Sequence, residues 1–148
     1  MIKKIAVAFL AVVLLSGCSA SRGKYGDNNK HIAEFEKTIG DRVFFKLDSS
    51  DLTSDAQSTL TRQAEWLKDH KLFNMTVEGH CDERGTREYN IALGERRANA
   101  VKMFLIEHGV SAERVETISY GKERLAVPGD DEHSRALNRR TVTIAVKN

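Results

Sequence analysis

The chain has 148 residues, of which 41% are hydrophobic and 30% are charged, an ordinary balance for one folded domain with short appendages. The formal charge of +2 comes from Lys3 and Lys4, since 23 basic residues minus these 2 leaves 21 to balance the 21 acidic residues. A neutral remainder without a basic, aromatic-containing stripe argues against a nucleic-acid partner.

Residues 1–17 have the pattern of an export signal. Lys3 and Lys4 precede an apolar run, residues 5–15, that is too short to cross a bilayer but typical of a signal peptide. The run ends in Leu15-Ser16-Gly17-Cys18, which resembles the lipobox of bacterial lipoproteins. This resemblance implies cleavage before Cys18 and lipidation of that residue, and several acyl chains anchor a protein permanently. The alternative is an ordinary signal peptide with a chance cysteine.

Residues 18–41 are predicted to link the lipidated cysteine to the domain. Residues 19–30 are polar and aperiodic, which predicts a flexible tether with a maximum reach of about 40 Å. The same composition fits a short disordered terminus without a role. Apolar residues at helical spacing predict a short helix over residues 31–39, ended by Gly40.

Residues 42–148 contain alternating strand and helix patterns. The predicted strands are residues 42–47, 75–80, 114–120 and 141–146, and the predicted helices are residues 54–70 and the segment between the turn 81–85 and Gly109. Residues 121–137 form a long polar connection with one helical turn near His133. The order β-α-β-α-β-β predicts an α+β fold, an α/β sandwich in which helices cover one face of a mixed sheet.

The helix over residues 54–70 shows a start signal and an apolar stripe. Ser54 and Gln57 have the spacing of a capping box. Its predicted core side chains are Ala56, Leu60, Ala64 and Leu67. Trp66 lies off this stripe, so we expect it to be partly exposed.

One charged residue interrupts the apolar stripe of the last long helix. Arg97 lies among Leu93, Ala100, Val101, Phe104 and Leu105. A core-facing guanidinium is costly unless an anion meets it. Asp82 is the candidate, because the second strand delivers it, in the turn that follows, to the mouth of the crevice between helix and sheet. The two side chains could form a structural ion pair, or together bind a zwitterion that carries an ammonium and a carboxylate.

Five segments together resemble the OmpA-like peptidoglycan-binding domain family, over nearly all of residues 42–147. They are Val43-Phe44-Phe45 with Leu47-Asp48-Ser49-Ser50, Val77-Glu78-Gly79-His80-Cys81-Asp82-Glu83-Arg84-Gly85, Tyr89-Asn90-Ile91-Ala92-Leu93-Gly94-Glu95-Arg96-Arg97-Ala98-Asn99-Ala100-Val101, Tyr120-Gly121, and Asn138-Arg139-Arg140. The resemblance divides the chain into a lipoprotein signal (1–17), a lipidated linker (18–41) and an OmpA-like domain (42–148).

The family resemblance implies a ligand, the meso-diaminopimelate of the peptidoglycan stem peptide. At the family's motif positions, Asp82 would take its ammonium and Arg97 its carboxylate, the latter in a bidentate geometry that lysine cannot copy. The other positions that match the family's pocket are Leu47, Asp48, Ser49, Arg84, Thr86, Asn90, Leu93, Asn138 and Arg140. Cys81 and Arg87 depart from the family's usual residues, but neither departure removes a binding charge.

The lipobox, the tether and the Asp-Glu-Arg-Gly-Thr loop resemble most the lipoprotein members of this family, which act in the Tol-Pal system. That resemblance implies a lipid-anchored protein of the bacterial outer membrane that faces the periplasm and tethers the membrane to the wall, also during cell division. It implies TolB and TolA as protein partners, no cofactor and no catalytic activity.

Two other function classes remain as alternatives. One is a periplasmic protein-interaction module without a wall ligand. The other is a thiol or metal hydrolase that uses His80 and Cys81, but adjacent residues at a strand end point to opposite faces. The remaining histidines, His31, His70, His108 and His133, show no metal-ligand spacing, and no metal site is predicted.

Overall fold

The computed structural model describes residues 23–148. The helices are α1 (Gly23–Glu34), α2 (Ser54–Asp69), α3 (Arg87–Glu107) and α4 (Glu132–Asn138), and the strands are β1 (Arg42–Phe44), β2 (Phe73–His80), β3 (Val115–Gly121) and β4 (Arg140–Lys147). The π-helical segment Phe35–Gly40 continues α1, and the 3₁₀ turn Ala112–Arg114 precedes β3. The predicted signal peptide, Cys18 and residues 19–22 of the tether lie outside the described residues.

The four strands form one mixed sheet in the order β1-β4-β2-β3. β2 runs parallel to β3 and antiparallel to β4, which in turn is antiparallel to β1. The last strand of the chain therefore lies between β1 and β2. The predicted α+β architecture with a mixed sheet is confirmed.

The hydrophobic core lies between one face of this sheet and helices α2 and α3. Leu60 and Leu67 of α2, Val101 and Leu105 of α3, and Val77 of β2 are all fully buried in it. Burial of such side chains contributes about 1.5–3 kcal/mol each. The predicted stripe of α2 is confirmed, since all four of its members are buried.

β4 turns its larger apolar side chains away from the core. Val142, Ile144 and Val146 share one face, as predicted, but the side chains buried against the helices are Thr141, Thr143 and Ala145. Ile144 and Val146 are 41% and 46% exposed. Small side chains under the helices allow α3 to approach the sheet closely.

Two predictions about α2 are wrong. Its N-cap is Thr53, whose hydroxyl accepts a hydrogen bond from the Ala56 amide, and Gln57 instead donates to the Leu52 carbonyl. Trp66 is buried rather than partly exposed. The cause is the N-terminal segment, because Phe35 packs against the indole at a ring-centroid distance of 5.0 Å.

The N-terminal helix begins earlier than the prediction of residues 31–39. α1 starts at Gly23, so residues 23–30 of the predicted tether are helical. The segment ends at Gly40 as predicted, and the left-handed φ of +96° explains why glycine occupies this position. Within residues 23–148, no helix combines the length and the apolarity needed to cross a bilayer.

Two glycines set the position of α3 on the sheet. A Cβ atom on Gly79 of β2 would lie 1.8 Å from the carbonyl oxygen of Gly94 in α3. No side chain fits in this crossing. The close approach places Arg97, one turn after Gly94, beside the end of β2.

Candidate functional site

A small pocket of about 20 Å³ lies where β2 ends, α3 begins and the loop after β1 passes above them. Its lining residues are Leu47, Asp48, Cys81, Asp82, Arg84, Asn90, Leu93, Arg97 and Arg139. A larger groove of about 340 Å³ lies between β1 and α2, but its three charged residues, Arg42, Lys46 and Asp55, are all exposed. The small pocket is the better candidate because it holds buried charges of both signs.

Arg97 is fully buried and is held by main-chain oxygens rather than by a carboxylate. Its Nε donates to the Ser49 carbonyl (2.8 Å), its Nη1 to the His80 carbonyl (2.9 Å) and its Nη2 to the Lys46 carbonyl (3.1 Å). The expectation that it needs an anion is therefore wrong, since three carbonyl dipoles satisfy it instead. Burial lowers the pKa of Arg97, yet arginine stays protonated at physiological pH.

Asp82 is held by two other arginines. Arg84 Nη2 donates to its Oδ2 at 2.8 Å, the Arg84 amide donates to its Oδ1, and Arg139 Nη1 lies 3.4 Å from its Oδ2. Burial alone would raise the pKa of Asp82, but the hydrogen bonds and charge of Arg84, with the bond from Arg139, lower it below its ordinary value. The carboxylate is therefore ionised at neutral pH.

Asp82 and Arg97 share the pocket without contacting each other. Within residues 23–148, the ion pairs of Asp82 are with Arg84 and Arg139. The alternative of a structural ion pair between Asp82 and Arg97 is therefore wrong. Three of the five N–H groups of Arg97 bind the carbonyls named above, which leaves two for another acceptor.

Beside the pocket, a hydrogen bond joins the loop after β1 to the start of α3. The Tyr89 hydroxyl donates to Asp48 Oδ1 at 3.0 Å. Asp48 has a left-handed φ of +53°, which is uncommon outside glycine and costs conformational energy. Leu47 beside it is 52% exposed, because β1 ends at Phe44 rather than at residue 47 as predicted.

The structure brings most of the predicted site residues together. Those that line the pocket are Leu47, Asp48, Asp82, Arg84, Asn90, Leu93 and Arg97. Ser49 adjoins it and contributes its carbonyl to Arg97. Thr86 is the N-cap of α3, where its hydroxyl accepts from the Tyr89 amide and its carbonyl from the Asn90 side chain.

Asn138 and Arg140 do not line the pocket, contrary to the prediction that they close its rim. The Asn138 amide is fully buried and binds the main chain of Ala126 and Val127. Arg140 donates to the Asn138 and Arg124 carbonyls. Successive side chains at the start of a strand point to opposite sides, so Arg139 occupies the rim instead.

Arg139 is a site residue that the sequence analysis missed. It is nearly buried, and its guanidinium joins the Phe45 carbonyl, Asp82 and Glu132. The alternation of side chains along β4 could have identified it, since Arg139 and Arg140 cannot both face the pocket. Arg139 fixes Asp82 from behind.

Cys81 and His80 do not form a nucleophile and base pair. The Cys81 thiol donates to the Asn90 carbonyl, and burial raises its pKa, which keeps it protonated. The His80 ring instead stacks on Tyr120 at 5.5 Å and is not part of the pocket lining. This geometry does not support the hydrolase alternative.

The comparisons with known proteins agree with this fold and with each other. The sequence model of the OmpA family matches residues 44–139. A peptidoglycan-associated lipoprotein of Mesorhizobium japonicum is 46% identical, with 93% of this chain and 88% of that protein covered. A peptidoglycan-associated lipoprotein of Pseudomonas aeruginosa is 39% identical, with 93% of both chains covered.

Solved structures give the same result. The crystal structure of the peptidoglycan-associated lipoprotein from Burkholderia pseudomallei matches with a TM-score of 0.73 and 36% identity, covering 77% of this chain and 98% of that one. The C-terminal domain of Helicobacter pylori MotB matches with a TM-score of 0.67 and 24% identity, covering 73% and 85%, and so shares the fold. The chain therefore belongs to the OmpA family and, within it, to the peptidoglycan-associated lipoproteins.

Proposed function

We propose that this protein is a lipoprotein that binds peptidoglycan non-covalently and so tethers the outer membrane to the cell wall. The observation that carries the proposal is the pocket in which an ionised Asp82 and a fully buried Arg97 lie without pairing to each other. Buried charges that are held apart suit a ligand with two opposite charges. The relatives named for their association with peptidoglycan support the same ligand.

The diaminopimelate of the stem peptide carries the required pair of charges on one carbon. In the proposed complex, its carboxylate accepts from the two remaining N–H groups of Arg97, and its ammonium donates to Asp82. Arg84 occupies Asp82 in the free protein and is 35% exposed, so it can move, whereas Arg139 is 8% exposed and stays. Binding therefore exchanges the guanidinium of Arg84 for the ligand's ammonium.

Side chains at the mouth must also move for the ligand to enter. A pocket of about 20 Å³ has room for about one water molecule, which is far less than a diaminopimelate side chain needs. Separation of Tyr89 from Asp48 opens it, because this hydrogen bond is exposed and neither residue is otherwise fixed by burial. Leu47, Ser49, Thr86, Asn90 and Leu93 then form the wall around the ligand.

The proposed function also has a membrane side and a protein side. Lipidated Cys18 would hold the chain on the periplasmic face of the outer membrane. TolB and TolA would be its protein partners in the Tol-Pal system, through which it supports envelope integrity and constriction at cell division. We propose that TolB uses a surface that overlaps the pocket, so that the domain alternates between TolB and the wall.

The first test changes Asp82 and measures binding to isolated sacculi by co-sedimentation. Asp82→Asn keeps the shape and one acceptor oxygen but removes the charge and the second acceptor, so we expect at least about 30-fold weaker binding, since loss of one partner of a buried charge pair costs about 2–5 kcal/mol. Glu83→Gln is the matched control, because the neighbouring carboxylate pairs with Arg135 outside the pocket. Equal binding by Asp82→Asn and wild type would refute the pocket.

Arg97 is tested by a conservative change, because alanine would leave three buried carbonyls unpaired and destabilise the fold. Arg97→Lys retains the charge but not the fork, so binding should fall while the circular dichroism spectrum stays native. Arg96→Lys, one residue earlier on the exposed side of α3, should bind like wild type. If both lysine variants bind equally well, Arg97 does not hold the carboxylate.

A further inference from the structure

A second cluster of ligand-type side chains lies away from the pocket, where α1 meets the end of α2. His31 and Glu34 of α1 and His70, the C-cap of α2, place one potential metal-ligating atom each within 4.8 Å of the others. The histidines show no metal-ligand spacing in the sequence, but the fold brings His31 and His70 together. These two histidines are far apart in the sequence and come together only because α1 packs against the end of α2.

The hydrogen bonds of His70 fix which of its nitrogens is available. Its Nδ1 lies 2.7 Å from the Trp66 carbonyl oxygen, and a carbonyl can only accept, so Nδ1 carries the proton. The lone pair therefore lies on Nε2. A histidine whose other nitrogen donates to a main-chain carbonyl is the usual form of a metal ligand.

His31 is oriented in the complementary way. Its Nε2 lies 3.5 Å from Asp27 Oδ1, one turn earlier on α1, and its Nδ1 lies 3.8 Å from Glu34 Oε2. Among the described residues, this buried Nδ1 has no hydrogen-bond partner. Asp27 thus lies beside the Nε2 of His31, while the Nδ1 faces Glu34 and lacks a hydrogen-bond partner among the described residues. A divalent metal bound between Nδ1 and Glu34 would complete this arrangement.

We propose that His31 Nδ1, Glu34 and His70 Nε2 bind a zinc ion, with water as the fourth ligand and Asp27 as the positioning residue behind His31. Zinc bonds to nitrogen and oxygen are about 2.0–2.2 Å long, so its tetrahedral ligands lie about 3.4 Å apart. The cluster reaches this spacing by small side-chain rotations, which Glu34 can make because its side chain is 46% exposed. A cavity of about 190 Å³ beside Asp27, His31 and His70 gives the ion a path to the site.

Aromatic packing alone does not explain the cluster. His70 stacks on Trp66 at 3.9 Å, and His31 meets the His70 ring edge-on at 4.8 Å. These contacts account for the positions of the rings but leave the Nδ1 of His31 without a hydrogen-bond partner among residues 23–148. A bound zinc ion would join α1 to α2 and so hold the N-terminal helix against the domain.

The test is calorimetric titration of the metal-stripped full chain with Zn²⁺. We expect one bound ion per chain and a higher thermal unfolding midpoint, since zinc binds the docked form of α1. Substitution of a residue that only orients a metal ligand typically weakens metal binding by about 10- to 100-fold, and Asp27→Asn should stay within that range. Glu34→Gln and His70→Gln should each weaken zinc binding by more than this. Glu34→Gln is the safer variant because its side chain is nearly half exposed.

His108 provides a matched control. Its Nδ1 lies 2.8 Å from the Phe104 carbonyl oxygen and its ring stacks on Phe104 at 3.9 Å, as His70 does on Trp66, but it is not in the cluster. His108→Gln should bind zinc like wild type, and bound Co²⁺ should show the strong visible absorption of a tetrahedral site that Glu34→Gln loses. Absence of zinc binding, or equal binding by wild type, Glu34→Gln and His70→Gln, would overturn the proposal.

Discussion

At the scale of single residues, His80 has a buried imidazole ring, and its main-chain carbonyl supports the pocket. Its carbonyl accepts from Arg97, while its ring lies on the other side of β2 against Tyr120. Burial and then the charge of Arg140 lower the pKa of His80 from 6.5 to about 4. Glu78 lies 3.5 Å from the ring, but its attraction is outweighed.

The lowered pKa of His80 predicts that the fold loses stability in mild acid. Between pH 6.5 and about 4, the unfolded chain binds a proton at this residue and the folded chain does not. The free energy of unfolding should therefore fall as the pH falls, by a contribution on the order of 3 kcal/mol at the lower end. Urea denaturation at pH 7, 5 and 4 should show this loss in wild type and a smaller loss in His80→Gln.

The comparison concerns the change with pH, because His80→Gln also removes packing against Tyr120. His133→Gln, which removes an exposed imidazole, should keep the wild-type profile. If wild type and His80→Gln lose the same free energy of unfolding between pH 7 and pH 4, His80 is not the group responsible.

The sequence predicted the residues of the site better than their contacts. Arg97 could be identified because a guanidinium interrupts an apolar stripe, and it is the largest fully buried side chain in the described residues. Its partners could not be predicted, since they are carbonyls of residues 46, 49 and 80, which only the folded main chain brings together. Without the folded main chain, Asp82 is the predicted partner of Arg97, but in the structure Asp82 forms ion pairs with Arg84 and Arg139.

At the scale of secondary structure, the crossing of α3 over β2 sets the geometry of the site. Gly79 and Gly94 meet main chain to main chain, and Gly121 of β3, with a φ of +54°, meets α3 near Ile91. The site residues Asp82 and Arg97 follow Gly79 and Gly94 by three residues each. A change in the distance between the two elements must therefore change the distance between the two charges.

We expect Gly79→Ala to reduce both stability and peptidoglycan binding. Its Cβ atom would lie 1.8 Å from the Gly94 carbonyl oxygen, so α3 has to move away from the sheet. Overpacking in a core typically costs about 1–3 kcal/mol of stability. The loss for Gly79→Ala should be larger, because the added methyl group clashes with main-chain atoms, which cannot rotate away. Urea denaturation gives the loss of stability, and co-sedimentation with sacculi gives the loss of binding.

Gly26 is the control for this substitution. A Cβ atom on Gly26 in α1 meets nothing within 4 Å, and alanine is the better helix former by about 0.5–1 kcal/mol. Gly26→Ala should therefore be neutral or slightly stabilising and should bind sacculi like wild type. Wild-type stability of Gly79→Ala would contradict the close crossing.

The helix α2 and the strands β2 and β4 could be predicted because each carries a clear period. The errors arose where a distant segment decides. Trp66 is off the α2 stripe yet buried, since Phe35 covers it, and β4 buries Thr141 and Thr143 rather than its larger apolar side chains. Periodicity shows that two faces differ, but only the packing of the helices shows which face is inside.

At the scale of the whole molecule, the proposed function requires one chain to bind two surfaces. The extent of α1 shortens the predicted tether, because only residues 19–22 separate Cys18 from Gly23. Four residues can extend at most about 14 Å, and the 12-residue helix adds about 18 Å. The proposed anchor and the wall-binding pocket would thus be joined partly by helix, which limits the distance between membrane and wall more than a flexible coil would.

Bridging of the two surfaces gives the last prediction. We expect the wild-type chain, purified from bacterial membranes and reconstituted into lipid vesicles, to carry isolated sacculi upward with the vesicles in a flotation gradient. Asp82→Asn should float with the vesicles but leave the sacculi behind, because its anchor is intact and its pocket is not. The chain from Ser19 onward, made without the signal and Cys18, should bind sacculi like wild type but stay out of the vesicle fraction, since it lacks the acyl chains.

The pattern of the two variants separates the two halves of the proposal. Flotation of the chain from Ser19 onward with the vesicles, or an unmodified Cys18 by mass spectrometry of the wild type, would contradict the lipid anchor but not the pocket. Flotation of sacculi by Asp82→Asn would contradict the pocket but not the anchor. Only a chain with both features should join the vesicle to the wall, because neither the OmpA-like domain nor the acyl chains alone can hold both surfaces.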